Sequence, residues 1–295
     1  MILLYSLIGI TAVCFSSRIQ EKSARDVMHA LFYYGYPVVI ICGMPLIPAS
    51  QLSSMALICM FASLTLILTA LGALVYYMFQ HRDLKLAALD TVDFAINDIC
   101  VMVGPLLLVV WGPSSLMLIY TIIFTQLFTV LLLCRMSSDH PHVNQILLGL
   151  KKTSFVLTIC LLIVWVLSHV EVYGLIITWR QQIYEIFHTG MALMMTFLVC
   201  ACTPSPWRCS LVSLVYYISR CVAIALCMMA IHIFFPLPIV AWGLIFVCLI
   251  GPHFQSFTCT HASHQNTNTR QGSVFYFCML LFLFAMNNLL SSFRH

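Results

Sequence analysis

The sequence predicts an all-α fold, a polytopic transmembrane helical bundle of about 10 spans in two five-helix halves. Three observations carry this expectation. Hydrophobic residues make up 62% of the chain and charged residues 7%, against about 25% charged in a soluble domain; the mean hydropathy is +1.02. Such a chain cannot clothe itself in a polar surface, so its solvent is the lipid bilayer. The apolar residues fall into runs of roughly the 20 residues that a helix needs to cross the hydrocarbon. The basic residues, finally, sort to alternate loops.

The runs lie at about 1–15, 27–49, 53–79, 86–111, 114–134, 153–177, 183–203, 209–234, 236–252 and 274–291. The first lacks the positive n-region of a secretory signal, and Arg18, Lys22 and Arg25 follow it, as fits a first span with its C-terminal end in the cytoplasm. Short breakers such as PASQ, QHRD, GPSS, TWRQQ, PSPWR and FPLP separate the spans. In the fourth span, Gly104-Pro105 is a kink signal. A longer polar loop, 135–152, joins halves of about 1–134 and 153–291 within a single membrane domain, 1–295. Odd-numbered loops hold Arg18, Lys22, Arg25, Arg82, Lys85, Arg135, Lys151, Lys152, Arg208 and Arg270, ten of the thirteen basic residues. Even-numbered loops and the termini hold Arg180 and Arg294. The asymmetry places odd loops in the cytoplasm and both termini on the non-cytoplasmic side.

Arg220 is the remaining basic residue, and it stands inside the eighth span. A charge at the bilayer centre costs at least about 2.5–3.5 kcal/mol, so such residues face the bundle interior and pair. The fourth span carries a polar stripe of Asp90, Asp93, Asn97 and Asp98. Asp98 and Arg220 each lie about a dozen residues, or about 18 Å, from the cytoplasmic ends of their spans. Two readings follow: an intramembrane pair joining the halves, or an Asp98 lining a wet crevice while Asp90 and Asp93 are interfacial. Glu171 with His169, Glu185 with His188, and His232 lie toward the outer ends of their spans, where they rim a vestibule or are simply interfacial.

Other chemistry is not indicated. Cys259, His261 and His264 fall within six residues, but no second cluster completes a tetrahedral site, so no metal is expected. The 14 cysteines fall mostly in apolar runs and read as packing residues. No phosphate-cradling glycine loop, nucleophile elbow or aromatic-interleaved basic patch occurs. Catalysis, a cofactor and nucleic-acid binding are therefore not expected.

The segment HALFYYGYPVVIICGMPLIPA (29–49), with its Gly35-Tyr36-Pro37 element, resembles the second span of the multi-spanning envelope proteins of gammaherpesviruses, whose Epstein–Barr virus member carries an integrin-binding loop. VLSHVEVYGL (166–175) is similar to the segment after that family's central loop, and HIFFPLPIVAWGLIFVCLIG (232–251) to its penultimate span. The order and spacing of these motifs carry the resemblance. It implies a protein of the virion envelope and host cell membranes that aids attachment and cell-to-cell spread. Its partner would be a single-pass type II viral glycoprotein, which it complexes and helps transport to the surface. The family is also distantly similar to equilibrative nucleoside transporters, which makes a carrier of a small polar solute the alternative, with Asp98 and Arg220 in its path. Those transporters hold an Asp one helical turn before a mid-membrane Arg; here that position is Tyr216, and span counting instead selects His188. The chain contains no Arg-Gly-Asp triplet, so integrin binding through one does not carry over. The charge bias also puts the 135–152 loop in the cytoplasm, whereas an integrin-binding loop faces outward.

Overall fold

The computed structural model describes residues 27, 30–96, 103–137, 141–168, 173–202 and 211–250, and every regular element among them is helical. The first is a π-turn, Leu31–Gly35, running into α1 (Tyr36–Gly43) and a 3₁₀ turn, Met44–Leu46. Pro37 is the cause of the wide turn. It has no N–H to give to Tyr33, and its ring crowds that carbonyl, so the backbone opens and Tyr36 N–H bonds to Leu31 O instead.

The long helix α2 (Ala49–His81) ends with Arg82 in the left-handed conformation, φ 53°. Asp83 then caps α3 (Leu84–Ala95), its carboxylate accepting the Lys85 N–H at 2.9 Å. Helix α4 (Gly104–Trp111) begins with Pro105 in its first turn, where a missing N–H costs nothing. A 3₁₀ turn over Gly112–Ser114 leads into α5 (Ser115–Ser137). The remaining helices are α6 (Pro141–Ser168), α7 (Tyr173–Cys202), α8 (Leu211–Phe234) and α9 (Ile239–Leu249).

Three features depart from the sequence-based expectation. The fourth apolar run is not one continuous helix: α3 stops at Ala95, where Ile96 is extended (ψ 139°), and α4 is a separate element from Gly104. The polar loop 135–152 is largely helix, because Val143, Ile146, Leu147 and Leu150 recur at helical spacing and pack with Ala88, Val92, Val130 and Leu133 in a small core. The TWRQQ segment is not a loop but the interior of α7. It holds no Gly or Pro, and Gln181 donates to Glu185 one turn on, at 3.0 Å. Arg180 is accordingly buried, with 5% exposure. The expected first and tenth spans lie outside the described residues.

Cross-helix bonds set the directions of the helices. Ser114 donates to Gln51 at 2.6 Å and Ser63 meets Thr125 at 2.9 Å, so α2 and α5 run parallel and nearly in register. Tyr120 OH donates to Leu157 O at 3.0 Å across the antiparallel α5–α6 pair. Helix α8 lies antiparallel on α2, with Tyr77 bonded to Tyr216 and Phe61 against Phe235. The main core draws on both sides of the expected midpoint, combining Val39, Leu66, Ile119, Leu157, Ile224 and Ile245.

The outer faces are apolar too. Along α8, Val215, Ile218, Val222, Leu226, Met229 and Ile233 recur every three or four residues, and each is more than half exposed. The opposite face, with Arg220, Ile224, Met228 and Ile231, is buried. Helix α2 repeats the pattern with Leu57, Leu64, Leu71 and Val75. Soluble monomers rarely expose apolar patches beyond about 300–600 Å², so stripes of this extent fit a hydrocarbon surround.

Candidate functional site

The polar groups that the helices bring together lie where α2, α3, α8 and α9 meet. The tight turn at Arg82–Asp83 folds α3 back on α2, and His81 Nε2 stands 2.6 Å from Asp90 Oδ2. Both side chains are partly open, at 28% and 39% exposure. Below them His81 stacks on Tyr77, with ring centroids 6.1 Å apart. Tyr77 hydrogen-bonds Tyr216 of α8, and the Asp93 carboxylate acts electrostatically on both phenols. Phe94 meets Tyr216 edge-on at 5.6 Å.

Arg220 follows Tyr216 by one helical turn and is buried, at 3% exposure. Its Nη2 donates to the carbonyl of Leu249 at 3.1 Å. Leu249 is the last residue of α9, and its carbonyl is among those that a helix leaves without an intrahelical partner. A guanidinium there satisfies an orphan acceptor and sits at the negative end of the α9 macrodipole. The phenol of Tyr216 also feels the Arg220 charge. Helix α8 starts at Leu211, so Arg220 lies nine residues, about 13 Å, along the helix.

Of the residues singled out by sequence, Asn97, Asp98, His169, Glu171, Cys259, His261 and His264 lie outside the described residues, and the Asp98–Arg220 pairing with them. Glu185 is exposed and accepts from Gln181. His188 stacks on Tyr184 at 4.5 Å and gives its Nδ1–H to Tyr184 O at 2.7 Å. His232 accepts from Trp242 Nε1 at 2.9 Å, tying α8 to α9. These three are thus held by partners on their own or the adjacent helix. His81, Tyr77 and Tyr216 were not anticipated. The available signal was a histidine nine residues before an aspartate across a four-residue breaker, the spacing of a helical hairpin. Among the described residues, no group of three or more His, Cys, Asp and Glu side chains is arranged to hold a metal.

Chemically, the site is a cation fixed by a helix end, two phenols and two carboxylates, with a histidine at its open edge. It can lock four helices together or offer hydrogen bonds to a polar solute. Three helical stretches, Ala49–His81, Gly112–Met136 and Ile146–Ser168, are long and apolar enough to cross a membrane, and Tyr33–Leu46, Ile218–Phe234 and Ile239–Leu249 are shorter apolar helices. The fold and the apolar stripes define the class as an all-helical, membrane-associated protein. No protein-family model, curated protein or solved structure matches the chain.

Proposed function

We propose that the chain is a multi-pass viral envelope protein of about ten spans that binds a single-pass type II glycoprotein and carries it to the cell surface, aiding attachment and cell-to-cell spread. One observation supports this best. The three motifs resembling the gammaherpesvirus family coincide with joints of the bundle: Gly35-Tyr36-Pro37 with the π-to-α junction, 166–175 with the α6–α7 boundary, and 232–251 with the α8–α9 turn. In the test, the chain is co-expressed with a single-pass type II viral glycoprotein. Surface delivery of the glycoprotein should depend on the chain, and the two should co-purify from detergent. Equal delivery with and without the chain would end this reading.

The proposed topology puts both termini on the non-cytoplasmic side. The bias of ten basic residues toward odd loops, against Arg180 and Arg294 elsewhere, supports this orientation. Tags at Met1 and His295 should stain intact cells that display the protein. A His295 tag visible only after permeabilisation would reverse the topology.

The solute-carrier reading is favoured by a different observation, the break of the helix at Ile96, just after Asp90 and Asp93 of the polar stripe. Discontinuous helices of this kind line substrate sites in many transporters. Uptake of labelled nucleoside into proteoliposomes, abolished by Arg220→Leu, would favour it. No uptake above empty vesicles would remove it.

A further inference from the structure

We propose that α5 and α6 form a binding site for an anionic phospholipid, with Lys151 and Lys152 taking the phosphate and the groove beside Phe124 and Phe128 taking an acyl chain. This goes beyond the function proposed above and does not depend on it.

The lysines occupy an unusual position. Both are exposed, yet they lie five and six residues inside the apolar stretch Ile146–Ser168, about 8–9 Å from its start. Lys151, Phe155, Thr158 and Leu162 follow one another on a single exposed face of α6. Lys151 thus stands in a stripe whose other members are mostly apolar, with Lys152 exposed beside it. Such lysines bury their stems against hydrocarbon and lift the charge to the headgroup layer, where phosphate answers it.

The groove supplies the other half of the site. It has a volume of about 490 Å³ and is formed by Tyr120, Thr121, Phe124, Thr125 and Phe128 of α5, with Ile67 of α2 and Leu161 of α6 as walls. Its three helices contain the three stretches long enough to cross a membrane, so its mouth opens on lipid. Its hydroxyls are already spent: Tyr120 donates to Leu157 O, Thr121 to Met117 O and Thr125 to Thr121 O. Those bonds leave an apolar lining suited to a hydrocarbon chain rather than a polar ligand.

The register joins the two halves. Tyr120 stands level with Leu157 in the antiparallel pair, so six residues nearer the α5–α6 connection on each helix Lys151 comes level with the stretch between Phe124 and Phe128. A phosphate on the lysines therefore lies at the Phe128 end, and its chain runs along the groove toward Leu161.

The test reconstitutes the full chain in phosphatidylcholine nanodiscs with and without a minor fraction of phosphatidylserine, and measures retained lipid by mass spectrometry together with the thermal midpoint. Phosphatidylserine should be enriched on the protein over its bulk fraction and should raise the midpoint. Lys151→Gln with Lys152→Gln should lower that enrichment by roughly 30-fold, about fivefold for each lysine. Leu161→Trp, which fills the groove, should reduce retention of both lipids. A photoreactive residue at position 128 should label lipid in cell membranes. Equal retention of the two lipids by the unaltered protein, or unchanged enrichment in the double variant, would overturn the proposal. So would labelling of a protein's membrane helix instead of lipid from position 128, which would assign the groove to a partner.

Discussion

Replacing Arg220 with leucine is expected to destabilise the folded chain by about 3 kcal/mol, among the larger effects a single substitution produces. The guanidinium is buried at 3% exposure and holds the Leu249 carbonyl at 3.1 Å. Leucine keeps the site apolar but removes the donor that Arg220 gives to the Leu249 carbonyl. It also removes the cation that acts on the Tyr216 phenol. Arg220→Lys should fall between, because an ammonium keeps the charge but not the planar fork. Thermal midpoints of detergent-purified variants, followed by tryptophan fluorescence, measure the loss; a midpoint unchanged in Arg220→Leu would show that the residue is held without consequence. The proposed pairing with Asp98 adds a second criterion. If the two residues pair, Asp98→Leu together with Arg220→Leu should recover much of the stability lost in either single variant. If the two losses add, they do not pair.

The second large effect is expected at Gly43, the last residue of α1. A Cβ there would lie 2.6 Å from Cε2 and 2.8 Å from Cδ2 of Tyr184, and 3.1 Å from Cδ1 of Leu116. None of these neighbours moves cheaply. Leu116 is fully buried, and the Tyr184 ring, 4% exposed, is stacked on His188, which is itself bonded to the Tyr184 carbonyl. Gly43→Ala should therefore cost about 2 kcal/mol through overpacking between α1 and α7. Tyr184→Leu in the same chain should relieve the clash, so the double variant should be more stable than the sum of the two single losses predicts. Simple additivity would mean that α1 and α7 can separate without penalty.

The sequence is most legible where the chemistry is monotonous. The apolar runs at 53–79, 114–134 and 209–234 locate α2, α5 and α8 to within a few residues, because hydrocarbon permits only continuous helix over such lengths. It is least legible where polar residues enter a helix. TWRQQ carries the polarity of a loop but the backbone preferences of a helix, and burial of Arg180 is decided by neighbours distant in sequence. The 135–152 stretch misleads for the opposite reason: four apolar residues at helical spacing are diluted among Asn, Gln and Lys. At the site, Arg220 announces itself as a charge in an apolar run. Its acceptor, a main-chain carbonyl 29 residues away, carries no side-chain signature. The His81–Asp90 contact depends on Arg82 taking a left-handed turn, which an arginine does not advertise.

The divided fourth span bears on how the chain enters the membrane during synthesis. Helix α3 has 12 residues and α4 has 8, about 18 Å and 12 Å long, so neither alone crosses roughly 30 Å of hydrocarbon. Where α3 ends at Ala95 its final carbonyls are left without intrahelical partners, a heavy penalty for a segment released singly into lipid. The segment is therefore a poor client for insertion one helix at a time. Its stable arrangement requires α2, already made, and α5 and α7, still to come, since these are the helices against which the two pieces pack. A segment whose packing partners include α5 and α7 is expected to settle only after those later helices have emerged.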